Sequence, residues 1–275
     1  MLARGHRLDM RFNLNRYRII WLAFFRTSLV ADLEFRANIV VKICTDFLWY
    51  LAQLLVFGVL YQHTDTLGGW RANQMQVFMA LLFLVDALYM ILFSENLEQI
   101  PAKVVRGELD MILAKPVDSQ FMLSTQKLNT PYCVNIAIIV IALFWSLAQL
   151  DGGVPWSRLP LMLIAIPAGL SVVYSTRLIF AASSIYYGNV PNLMQLWFQV
   201  YRLGMRPDIL YPPWLRYVVL GVIPMGFVAS VPARILVTPF EWWLPLASLG
   251  VGCGSFAASR WYWKRTIRCY ASASS

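Results

Sequence analysis

Residues 75–93 read MQVFMALLFLVDALYMILF, and Asp86 is the one charged residue among them. An α-helix needs roughly 20 mostly apolar residues to cross the hydrocarbon core of a bilayer, and this run supplies them. No water is present in that core, so backbone N–H and C=O groups must pair inside the segment, and a helix satisfies them all. Outward from this run the pattern repeats. Comparable stretches lie at 37–61, 131–150, 159–186 and 242–263. The overall balance agrees: hydrophobic residues make up 59 % and charged residues 13 %, against about 25 % charged in a soluble domain. The mean hydropathy is +0.58. The sequence is therefore read as an all-α integral membrane protein.

The net charge of +9 does not point to nucleic acid. Arg4, Arg7, Arg11, Arg16 and Arg18 precede the first apolar run, and Lys264, Arg265 and Arg268 follow the last. Positive charge flanking apolar runs sets membrane orientation. The 94–127 loop carries Lys103, Arg106, Lys115 and Lys127, whereas the short loops near 71 and 158 carry one arginine each. Both termini and the 94–127 loop are thus expected on the cytoplasmic side, which requires an even number of crossings. Ile19 to Phe25 is too short to span and has no small-residue cleavage site behind it, so the N-terminus does not read as a signal peptide. Residues 14–34 are expected to form a basic amphipathic helix in the interface. The organisation is then an N-terminal segment at 1–36, one transmembrane domain at 37–263 and a C-terminal tail at 264–275.

Residues 190–236 allow two readings. In one, 187–216 is a loop and 217–236 crosses the membrane. In the other, a short helix at 191–205 crosses, and 207–236 forms a re-entrant hairpin on the external side. Pro224, Pro232, Gly221 and Gly226 disfavour a continuous helix and support the second reading.

Ionisable residues within apolar runs are costly unless paired or hydrated, and so mark candidate sites. Asp86 lies about 16 Å along its run, and Arg177 lies within 159–186. The two are expected either to line a polar route or to pair between packed helices. Lys42 and Asp46 read as an i,i+4 pair, with Gln53 and Tyr50 turned to the same interior side. Cys44, Cys133, Cys253 and Cys269 show no metal-ligand spacing, and His6 and His63 are far apart, so no metal site is expected. No G-x-x-x-x-G-K-[ST] run, nucleophile elbow or H-E-x-x-H exists. No catalytic residue is assigned.

The 101–116 stretch, PAKVVRGELDMILAKP, alternates charge along an apolar stripe of Val104, Val105, Leu109, Ile112 and Leu113. Pro101 suits a helix start, and Lys115 before Pro116 suits an end. This stretch resembles the cytoplasmic segment between the second and third helices of ABC-2 type ABC exporter permeases, where R-x-G-E-L-D…L…(K/R)-P recurs. The run YPPWLR at 211–216, followed by Ile223-Pro224 and Pro232-Ala233-Arg234, resembles the external hairpin before the last helix of the same superfamily. The resemblance covers most of the chain. It implies six crossings, a bacterial inner-membrane location and a function in ATP-driven export of an amphipathic or lipid-linked substrate. It also implies a second permease subunit, identical or homologous, and a separate ATPase that holds ATP and Mg while this chain binds no cofactor. Arg106, Gly107, Glu108, Leu109, Asp110, Leu113, Lys115 and Pro116 are then the ATPase-coupling residues, and Asp46, Gln53, Asp86 and Arg177 the pathway candidates. The charge alternation and apolar stripe support a coupling helix independently, and the competing reading of 94–127 is a solvated interfacial loop folded back on the protein. A membrane-embedded lipid-modifying enzyme and a secondary transporter are the competing functions.

Overall fold

The computed structural model describes residues 14–34, 36–188 and 191–270. Arg4, Arg7 and Arg11, the turn residues Asn189 and Val190, and the last five residues of the tail lie outside them. The described chain is helical, with no strand beyond an isolated bridge between Leu67 and Trp70.

Helix α1 is Leu14–Glu34, α2 is Arg36–Tyr61 and α3 is Ala72–Tyr89. A π-helical turn, Met90–Ser94, joins α3 to α4, Glu95–Val105, without a break. The resulting stretch Ala72–Val105 has 34 residues, about 50 Å of helix, so it outruns the bilayer core. The expectation that helix gives way to loop at 94 is corrected: apolarity ends there, but the helix continues. The π turn leaves a carbonyl free of the regular ladder, and Ile91 O accepts the Asn129 N–H at 3.0 Å.

Among the described residues, three stretches are long and apolar enough to cross a membrane: Ile39–Tyr61, Ala72–Val105 and Leu159–Tyr187. Helix α5 is Glu108–Leu113, α6 is Ser119–Thr125 and α7 is Tyr132–Ala148, the last apolar but only 17 residues long. Helix α8 is Met162–Tyr187, α9 is Pro191–Gly204, α10 is Pro213–Tyr217, α11 is Ser230–Val237 and α12 is Trp243–Arg268. Helix α12 has 26 residues, but its glycines, serines and terminal cations lower its hydropathy.

Helix α3 forms the centre, burying Val77, Phe78, Leu81 and Val85 completely. Helices α8 and α12 approach through small residues. A Cβ at Gly252 would lie 2.8 Å from Ala168 Cα, so the glycine permits the contact. Ser171 Oγ donates to Gly252 O at 2.8 Å across the same seam.

Of the two readings of 190–236, the single helix at 217–236 does not form. Helix α10 runs into a π turn at Val218–Val222, Pro224 turns the chain, and α11 starts at Ser230. Helix α9 occupies the range expected for the short helix. The segment between α9 and α12 sits where α3 and α8 begin: Gln74 Nε2 donates to Val237 O at 3.2 Å, and Arg158 Nη1 to Thr238 O at 2.6 Å.

Candidate functional site

The 101–116 stretch is two helices, not one. Pro101 lies inside α4 and does not start a helix. Gly107 adopts φ 71°, a left-handed conformation that ordinary L side chains resist, and it breaks the chain between α4 and α5. The glycine supplies the turn.

The expected apolar stripe is also redistributed. Leu109 and Ile112 are buried in the protein's own core, Leu113 is half-buried, and Val105 and Met111 are the large apolar side chains left exposed, at 56 % and 66 %. Glu108 pairs with Arg106 of the same chain at 3.3 Å rather than standing free. Lys115 and Pro116 are exposed, and Arg16 of α1 donates to Pro116 O at 3.0 Å.

Helix α6 locks this cluster to the long helices. Asp118 caps α6 by accepting the Phe121 N–H at 3.0 Å and forms a two-contact ion pair with Arg260 of α12. Burial opposes the Asp118 charge, but the Arg260 and backbone N–H donors outweigh it and hold its pKa below the usual carboxylate value. Gln120 donates to Tyr174 Oη at 2.9 Å, Ser124 shares that hydroxyl at 2.9 Å, and Trp263 Nε1 donates to Ser119 Oγ at 3.2 Å. Helix α1 lies along the other side. Ser28 Oγ accepts the Leu128 N–H at 3.0 Å, and Asp32 accepts both the N–H and the hydroxyl of Thr130, at 3.0 and 2.6 Å. Side-chain bonds thus tie α6 to α8 and α12, and residues 128–130 to α1.

Asp86 and Arg177 are not partners. Asp86, buried on α3, accepts from Tyr201 Oη of α9 at 2.6 Å, with Tyr50 Oη of α2 at 3.5 Å, long for such a bond. Arg177, buried on α8, meets Glu98 of α4 at 3.6 Å and lies over the Trp197 ring at 4.4 Å. Trp197 and Tyr201 stack at 5.1 Å, one helical turn apart on α9. A single aromatic pair therefore serves both charges. The W-x-x-x-Y spacing of 197–201 was the sequence signal for it.

The Lys42–Asp46 pair is likewise replaced. Lys42 Nζ donates to Asn129 Oδ1 at 3.2 Å, and Asp46 accepts from Tyr132 Oη at 3.3 Å and Asn135 Nδ2 at 3.2 Å. Gln53 is half-buried on α2 and takes no part in these bonds. Asp208 was missed as a structural residue. It is fully buried between α9 and α10, bonded to Arg216 Nε at 2.8 Å and facing Arg234 at 3.7 Å. Among the described residues, no group of three or more His, Cys, Asp or Glu could hold a metal.

No curated protein and no solved structure matches the chain significantly. A family model described as ABC-2 family transporter protein matches residues 47–274, which includes α3 to α12 entire. With most of the chain matched, this membrane protein belongs to the ABC-2 transporter family, whose members are the permease component of a transporter and not its catalytic one.

Proposed function

We propose that the chain is the transmembrane half of an ATP-driven exporter for an amphipathic or lipid-linked substrate, working with a second permease subunit and separate ATPase subunits. The observation that carries this reading, beyond the family, is the cluster α4–α6. It presents Val105 and Met111 outward and is fastened to α8 and α12 by buried and half-buried bonds, as a mechanical input should be. ATP and Mg belong to the ATPase in this scheme, and nucleotide binding there would tilt α4–α6 and rock the bundle. Helices α7, α9 and α12 complete six crossings with the three long apolar stretches. Both termini and α4–α6 then face the cytoplasm of a bacterial inner membrane, and residues 207–236 form the external hairpin.

Glu108→Arg with Asp110→Arg would disturb an internal pair, so Val105→Arg with Met111→Arg is the cleaner probe. It should abolish copurifying ATP hydrolysis while the permease stays folded; retention of full coupled activity would remove the docking role. Asp208 is too buried to report topology by cysteine labelling. Trp214, 67 % exposed, is the better position. An impermeant thiol reagent should label Trp214→Cys in intact cells, and labelling only after lysis would reverse the assignment of sides.

A further inference from the structure

Between α6, α8 and α12 lies a cavity of about 660 Å³, with Tyr17 of α1 across it. Its volume falls in the range of small-molecule sites. Phe93, Phe121, Leu170 and Phe256 give it apolar walls, and Arg260 and Lys264 give it a basic end. These two cations stand four residues apart on α12 and share a helix face. Their situations differ. Arg260 is already neutralised by Asp118 and also donates to Gln120 at 3.0 Å. Lys264 is exposed and has no acidic partner among the described residues. The cavity end therefore carries one uncompensated positive charge beside an aromatic chamber. Helix α1 closes one side: the Tyr17 ring meets Phe121 edge-on at 4.9 Å, and Tyr17 Oη accepts the Asp118 N–H at 3.4 Å.

We propose that this cavity binds one anionic phospholipid of the adjoining leaflet, with its phosphate at Lys264 and the upper part of one acyl chain between Phe93, Leu170 and Phe256. The inference rests on the membrane-subunit reading above, not on any coupling to ATP. A zwitterionic headgroup would bring its own cation to Lys264 and lose the attraction. A soluble anion would leave the aromatic walls uncovered. Because the cavity touches α1, α6, α8 and α12 together, an occupant would tie the interfacial helix to the input cluster.

The test uses the full chain alone in lipid nanodiscs, without nucleotide or ATPase. Two photoreactive probes with identical diazirine-bearing acyl chains are compared, one phosphatidylglycerol and one phosphatidylcholine, and labelled peptides are mapped. The phosphatidylglycerol probe should label α8 and α12 peptides about fivefold more than its counterpart, the upper end of what one exposed charge contributes. Lys264→Gln should erase that preference, and Arg265→Gln, one residue along but off the cavity, should keep it. Leu170→Trp, which fills the chamber, should remove labelling by both probes, and inorganic phosphate should not compete. Equal labelling by the two probes, an equal effect of the two cation substitutions, persistence in Leu170→Trp, or displacement by phosphate would each overturn the proposal. Failure of an ATPase to copurify would sink the exporter reading and leave this result standing.

Discussion

Two carboxylates clamp broken backbone at opposite ends of α12, and they do so in different surroundings. Asp118 holds the α6 turn to Arg260, about 25 Å along α12 from its start at Trp243. Asp208 holds the segment between α9 and α12, where its N–H also donates to Ser230 Oγ at 3.0 Å. The Asp208 side chain is wholly buried and faces two arginines, Arg216 and Arg234; Arg234 in turn reaches Glu241 at 3.4 Å. Asp118 keeps 16 % of its side-chain surface and faces one arginine. The difference follows from how far each pair is removed from solvent. Residues 207–236 pack irregular backbone against the bundle and need their charges fixed. The α6 end is partly solvated, and its pair can shift without stranding a charge in a dry site.

The largest expected effect is at Asp208. Asp208→Asn leaves Arg216 and Arg234 without their carboxylate. Breaking a buried ion pair from one side costs about 3–5 kcal/mol, and the 38 % exposure of Arg216 puts the expectation at the lower end. The thermal midpoint of the purified variant should fall by several degrees, whereas Asp118→Asn should change it far less. Equal losses for the two would erase the contrast.

The seam between the clamps comes next. Gly252→Val would push a side chain into Ala168 backbone, where even a Cβ lies at 2.8 Å. Overpacking of this kind costs about 1–3 kcal/mol and should separate α8 from α12. Thermal unfolding of Gly252→Val beside Gly250→Val, a position open on every side, measures it. Equal midpoints would show that the seam is not tight.

A third carboxylate, Asp86, lies in the bundle interior and is held by tyrosines instead of arginine. Here a double-mutant cycle of Asp86→Asn with Tyr201→Phe should give a coupling of about 1 kcal/mol, the net worth of a hydrogen bond. The same cycle with Tyr50→Phe should give less, because that contact is 3.5 Å. Reversal of the two couplings would mean α2, not α9, holds the charge.

These comparisons mark what the sequence could and could not convey. Apolar runs placed α2, α3, α7, α8 and α12 close to where they lie, since length and hydropathy report depth in a bilayer. They do not report rotation about a helix axis. Asp86 and Arg177 were both at membrane depth, but rotation turns them toward Tyr201 and Trp197 and not toward each other. The π turn at 90–94 adds to this, because an extra residue in one turn rotates everything after it and so redirects α4 relative to α3. Pro101 was read as a start because proline breaks helices locally; packing of Leu97, Ile100 and Val104 against the core outweighs its missing hydrogen bond. The proline-rich 207–236 segment was legible because its breakers act through covalent geometry. Asp208 was not, because its burial comes from Arg216 and Arg234, whose meeting with it is tertiary.

The smallest effect is the one that separates the clamps by pH. The pKa of Asp118 is lowered in the folded protein: burial works against the charge, but Arg260 and the Phe121 N–H more than offset it. A carboxylate whose folded pKa is depressed contributes stability above its unfolded pKa, near 4, and loses it as pH falls through the folded value. The contribution is therefore complete at neutral pH and fades only below about pH 4. Because Arg260 keeps 28 % of its side-chain surface, up to about 1 kcal/mol is expected. Wild type should exceed Asp118→Asn in thermal midpoint by a small constant margin from pH 5 to 7, and the margin should close on acidification below 4. Exchange of the amide hydrogen at Phe121, which Asp118 accepts, should speed up over the same acidic window once corrected for its intrinsic rate. A margin that closes between pH 5 and 7 would mean the Asp118 pKa is raised, and that the α6 clamp carries its charge less securely than its contacts with Arg260 require.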